Sequence, residues 1–144
     1  MLLFFVTLSE PNAIKLEKEG LGYVVGSVGQ LSGEMPYTAF YARKSYINNN
    51  KDLINRFNNA INKGLDYVRS NDEEDIANAI IDQFPDSSLN DVIKIVKRYK
   101  DADSWLNNTT ITEDSYENLE DIMIDNDLLD EYVDFNKLVI DLNE

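Results

Sequence analysis

The sequence predicts an α/β protein in which short parallel-type strands are followed by a helix-rich C-terminal part. Three observations predict it. Leu2–Leu8 is apolar on both faces except at Thr7; Tyr23–Val28 and Tyr37–Arg43 are rich in β-branched and aromatic residues; and from Lys51 onward apolar residues recur at helical spacing.

In chain order, Leu2–Leu8 suits the interior of a parallel sheet with neighbours on each side, and Pro11 closes it. Ser9 or Asn12 is expected to cap a short helix through Ala13, Ile14 and Leu16 to Glu19, which Gly20 and Gly22 end. Tyr23–Val28 would then complete a βαβ unit. At Gly33–Thr38, Gly33 frees the backbone while Pro36 fixes φ and pushes Met35 toward an extended conformation, before the Tyr37–Arg43 strand. This stretch reads either as a hinge or as an ordinary loop before a strand.

Ser45–Ile47 suits a short helical turn, and Asn48–Asn50 offers a cap for a long helix from about Lys51. Leu53, Ile54, Phe57, Ile61, Leu65 and Val68 share one face of that helix, and Gly64 within it suggests close packing against a neighbour. Asp72–Asp75 sets four carboxylates where the next helix dipole is positive; a calcium loop would need ligand spacing and a central glycine that this run lacks. Ile76, Ala77, Ile80, Ile81 and Phe84 form the buried face of that helix, which Pro85 ends. Ser88 with Asp91 opens a helix carrying Leu89, Val92, Ile93, Val96 and Tyr99, and Trp105 lies in the loop after it. Thr112 caps a further helix with Tyr116, Leu119, Ile122 and Met123 inward, and the apolar pieces between Leu128 and Ile140 are expected to wrap the tail onto the body.

Composition narrows the function. The 144 residues suffice for one domain with its own core, and 27 acidic against 13 basic residues give a net charge of −14, which disfavours nucleic acid and anionic membranes. The absence of cysteine and histidine removes thiolate catalysis, histidine general bases and the commonest transition-metal ligands, so no catalytic residue, metal or cofactor is expected. An enzyme would need Glu10 and Glu34 as a paired acid and base, with no nucleophile or phosphate loop in support. Met1–Val6 has no preceding basic residue and stops at Thr7, so it reads as a strand and not as a secretion signal.

Glu10-Pro11-Asn12-Ala13, Leu16-Glu17-Lys18-Glu19-Gly20, Gly22-Tyr23-Val24-Val25 and Gly33-Glu34-Met35-Pro36-Tyr37-Thr38-Ala39-Phe40, in this order, resemble the solute-binding proteins of ABC importers. The branch in view handles thiamine-pyrimidine precursors, alkanesulfonates and taurine, and the helices from Lys51 to Phe84 with Asp121-Ile122-Met123-Ile124 look like its C-terminal part. The resemblance implies a fragment of a two-lobed type II periplasmic-binding-protein fold: residues 1–30 a remnant of the second lobe, 31–36 the hinge crossing, and 37–144 the C-terminal part of the first lobe. For a full-length member it further implies a small-molecule solute, an ABC permease as membrane partner and an extracytoplasmic location.

The positions that match the family's cleft are Ser9, Glu10 and Asn12 after the first strand, and Ser32, Gly33, Glu34 and Tyr37 around the hinge. Carboxylates accept from amino groups, hydroxyl and amide groups fix orientation, and a tyrosine ring stacks on a flat heterocycle. Each also has a plain structural role: Asn12 as a cap, Gly33 in a turn, Tyr37 in a core and Glu34 in solvent. The alternative function is an acidic, helix-rich interaction module without a small-molecule site. A strand that is apolar on both faces and lacks its neighbours further predicts a homo-oligomer, formed by strand swapping through Gly29–Gly33, with weak solute binding.

Overall fold

A computed structural model describes residues 4–140, and within them the protein is helices and connecting loops with no β-strand. The α/β expectation, and with it the parallel-strand periplasmic-binding-protein fragment, is therefore corrected. Residues 4–8, 23–27 and 37–43 have no regular secondary structure, Val28 begins a helix, and Leu2 and Leu3 of the first expected strand lie outside the described residues. The reason is the non-local nature of strands: each needs a neighbour for its N–H and C=O groups, whereas a helix closes its hydrogen bonds within itself. These three segments find no ladder partner, and Phe4, Phe5, Val6, Tyr23, Val25, Phe40 and Tyr41 are exposed instead of buried.

The helices are α1 (Asn12–Lys18), α2 (Val28–Ser32), α3 (Lys44–Asn49), α4 (Lys51–Ser70), α5 (Glu73–Ile80), α6 (Leu89–Asp101), α7 (Glu113–Asp125) and α8 (Phe135–Leu138), with a 3₁₀ turn at Ile81–Gln83. The chain forms two compact units, and α4 contributes its first 16 residues to one and its last four to the other. One holds the described residues through Ser27 together with Tyr67–Trp105; the other holds Val28–Asp66 and the described residues from Leu106 onward. Among the described residues no helix is long and apolar enough to cross a membrane.

In the first unit the core is Ile76, Ala77, Val92 and Val96, with Val68, Ile80, Ile81, Phe84, Leu89, Ile93 and Trp105 packed around it. Local chemistry sets the ends of its helices. The Asp72 carboxylate accepts from the Asp75 N–H at 2.9 Å and so caps α5 from just ahead of the first turn in which it was expected, and the Ser88 hydroxyl accepts from the Asp91 N–H at 3.2 Å, the expected N-cap of α6. Trp105 meets Tyr99 edge-on at 5.6 Å, drawing the loop after α6 onto that helix. At α1, neither Ser9 nor Asn12 supplies the cap: the Glu10 carboxylate accepts from the Ile14 N–H at 3.0 Å. Gly20, at φ 71°, ends α1 with the paired bonds Leu21 N–H to Leu16 C=O and Gly20 N–H to Glu17 C=O.

In the second unit, α7 is capped by Thr112, whose hydroxyl accepts from the Ser115 N–H at 3.2 Å. The tail does fold back here. Tyr116 O–H donates to the Val133 carbonyl at 3.1 Å, Val133 N–H donates to the buried Glu120 carboxylate at 2.8 Å, and the Tyr116 and Phe135 rings meet edge-on at 5.4 Å. Burial raises the Tyr116 hydroxyl pKa, as does the Glu120 carboxylate beside it. Helix α4 is amphipathic as expected yet has no buried residue, Phe57 remaining 44% exposed, and a side chain added at Gly64 would meet nothing within 4 Å. The expected close packing at Gly64 is absent.

Candidate functional site

The residues expected at a cleft fall into both units, and each group has its own surroundings. In the first unit the Glu10 side chain is 8% exposed, and both carboxylate oxygens are engaged: one by the Ile14 N–H, the other by Arg98 Nη1 at 2.6 Å. Arg98 also pairs with Glu17, which accepts from the Val24 N–H at 2.9 Å, so one guanidinium ties α1 and the segment after it to α6. The Val24 N–H and then Arg98 hold the Glu17 carboxyl below its ordinary range; burial would lower the Arg98 pKa, but Glu17 and Glu10 more than offset this and raise it. Lys18 Nζ donates to Asp91 at 2.8 Å, and with the Ser88 hydroxyl it lowers the Asp91 carboxyl to about 2. This network is structural. Ser9 contributes its backbone carbonyl to the start of α1, and Asn12 is exposed at its first position.

In the second unit, Ser32, Gly33 and Glu34 are held by a residue that the sequence did not single out. Asn118 on α7 donates its side-chain amide to the Ser32 carbonyl at 3.1 Å and to the Glu34 carbonyl at 2.9 Å. Between those carbonyls Gly33 takes φ 78°, and a Cβ there would stand 3.4 Å from Asn118 Nδ2. The positive φ is what calls for glycine at this point, since the Cβ would make no more than a close contact with Asn118.

The clamp shapes an open concavity of ≈ 350 Å³ lined by Glu34, Thr112, Asp114, Ser115 and Asn118. The Thr112 hydroxyl accepts from Ser115 N–H, and the Ser115 hydroxyl donates to the Thr112 carbonyl at 2.9 Å, so these groups already serve the cap. The Glu34 and Asp114 carboxylates remain as acceptors, and no cation is among the lining residues described. Such a lining suits a donor-bearing or cationic guest and opposes an anionic one. Ser32 and Gly33 act through their backbone, while Tyr37 projects into solvent and is 94% exposed. Among the described residues no cluster of His, Cys, Asp or Glu could hold a metal ion. Nothing local in the sequence marks Asn118, because its partners are carbonyls 84 and 86 residues away.

No family model matches the chain, and no solved structure matches it. Among curated proteins it is similar to one from Bacillus subtilis (strain 168) named "Putative binding protein YtlA", with 36% identity over 135 residues. The match takes in 94% of this chain and 40% of the relative, so the chain spans two-fifths of that protein's length. The likeness points to a binding role.

Proposed function

We propose that this chain is part of the solute-binding component of an ABC importer. In this reading it acts outside the cytoplasmic membrane with an ABC permease and takes a small, amino-bearing heterocycle of the thiamine-precursor kind. The observation that carries the reading is the 36% identity to a protein named for binding, which extends over almost the whole chain. The order of the Glu10–Ala13, Leu16–Gly20, Gly22–Val25 and Gly33–Phe40 motifs adds support. Between the two solute classes, the site chemistry favours one: Glu34 and Asp114 can accept from an exocyclic amine or a protonated ring nitrogen, and they repel a sulfonate. Affinity is weak in this reading, because an open polar concavity covers little of a ligand compared with a pocket that buries most of its surface.

The test is a melting-temperature series against an aminopyrimidine bearing a hydroxymethyl group and, in parallel, taurine, each at millimolar concentration. A ligand that binds only the folded chain raises the melting temperature by mass action. The aminopyrimidine should raise it, and Glu34→Gln should remove the rise without lowering the ligand-free midpoint. A response to taurine alone would reverse the solute class, and indifference to both would favour the acidic interaction module. That module draws its support from the 21 of 27 acidic residues that follow Ser70.

A further inference from the structure

In the second unit, α4 turns one side to its own unit and leaves another open. Asn62 accepts from the Thr109 N–H at 3.0 Å and Asn58 accepts from the Thr109 hydroxyl, while Ile54, Ile61 and Leu65 beside them are half-buried. Roughly a quarter-turn away around the helix, Leu53, Phe57, Ala60 and Gly64 fall within about 60° of one another. All four are exposed, Leu53 at 46% and Phe57 at 44%, and the space beside Gly64 is open to 4 Å. The Phe40 ring, edge-on to Phe57 at 4.8 Å, widens this stripe. Its charge also stands apart from the rest of the chain: residues 43–66 hold five cations and two carboxylates in a protein of net charge −14.

We propose that this face binds a second copy of the chain, the two α4 helices packing antiparallel about a two-fold axis between the Ala60 and Ile61 positions. In that register Phe57 lies over the partner's Gly64, where the absent side chain leaves room for the ring, and the small Ala60 at the axis lets the helices approach closely. The two-fold axis makes the contact twice. The charges along the stripe's edge fit the same register, since Arg56 comes within one residue of the position facing the partner's Asp66, again twice over. Arg56 lies 3.6 Å from Asp52 of its own helix, both exposed, so its side chain is free to turn across the interface. Like net charges oppose pairing only across about 8 Å at physiological salt, so the charges at the contact decide, and on α4 they are of both signs. Helix α7, with six carboxylates and no cation, offers no such self-match. The stripe is narrower than the ~800 Å² that each partner of a standard interface buries, so the dimer is weak and exchanges with single chains. It differs from the strand exchange expected from the sequence and needs no solute.

The full chain contains no cysteine, so a single introduced one reports on a single position. Light scattering from micromolar to millimolar concentration should show the mass rising from that of one chain toward twice that value. Under mild oxidation Ala60→Cys should give a disulfide-linked dimer and Lys51→Cys should not, because the two Lys51 positions stand about 28 Å apart along an antiparallel pair. Gly64→Leu, which fills the seat of the partner's Phe57, should weaken the dimer at least tenfold while leaving the helical circular dichroism unchanged. Arg56→Asp and Asp66→Arg should each weaken it, and the two together should restore it. A single-chain mass at millimolar concentration would overturn the proposal. So would a dimer indifferent to Gly64→Leu or to the charge reversals, or one in which Lys51→Cys links as readily as Ala60→Cys.

Discussion

Glu10 and Glu34 carry the same functional group and were singled out for the same reason, yet their surroundings assign them opposite work. Glu10 is nearly buried between the Ile14 N–H and Arg98, whereas Glu34 is exposed beside Asp114. Charge-assisted hydrogen bonds to buried partners contribute about 1.5–3 kcal/mol, so Glu10→Gln should destabilise by about 1–2 kcal/mol, since Gln keeps an acceptor for Ile14 and loses the ion pair. Glu34→Gln should leave the urea midpoint unmoved. Equal effects of the two on stability would contradict this division. Gly33 and Gly64, both in the second unit, form a similar pair. Gly33→Ala should cost about 1–2 kcal/mol because a left-handed backbone places Cβ against a carbonyl. Gly64→Ala, in the middle of α4 with open space around it, should gain up to about 1 kcal/mol. Chemical denaturation of both variants checks the opposite signs.

The helical elements were legible in the sequence because their signals are local. Ser88 and Thr112 each cap the helix they were expected to cap, the acidic run at Asp72–Asp75 does mark the start of α5, and Gly20 ends α1 through the left-handed turn that glycine permits. The expected strands were not realised because an apolar β-rich run states only a preference, and the partner that would satisfy its backbone must come from elsewhere. Residues 37–43 show this: Phe40 finds only the edge of Phe57, while Tyr37 and Tyr41 face water. The α4 stripe misled in a related way, since periodicity identifies which face is apolar without specifying what covers it. Phe57→Ala would cost about 3–5 kcal/mol at a fully buried site; at 44% exposure it should cost about half that or less. A loss of the full amount in a denaturant titration would mean that α4 is covered in solution.

Across the molecule, one of the seven expected residues, Glu34, lines the concavity, with Ser32 and Gly33 beside it in sequence; Ser9, Glu10 and Asn12 belong to the other unit, and Asn118, Asp114 and Ser115 were found only through the fold. Hydrogen bonds that span more than 80 residues leave no periodicity to read. The Lys18–Asp91 pair joins residues 73 apart, and it makes stability depend on pH. The folded Asp91 carboxyl, at about 2, lies below the ordinary aspartate value, so the pair's contribution is fully present above about pH 4 and is lost as pH falls toward 2. Asp91→Asn should therefore flatten the part of the acid-denaturation curve between pH 4 and 2, and an unchanged slope there would assign acid lability to other carboxylates.

The binding role is the central claim, and a backbone NMR titration of the full chain with the hydroxymethyl aminopyrimidine tests it most directly. The account predicts saturable shifts confined to Glu34, Asp114, Ser115, Asn118 and their immediate neighbours, absent from Glu34→Gln. Shifts that centre on Glu10 and Arg98, or none at millimolar ligand, would contradict it.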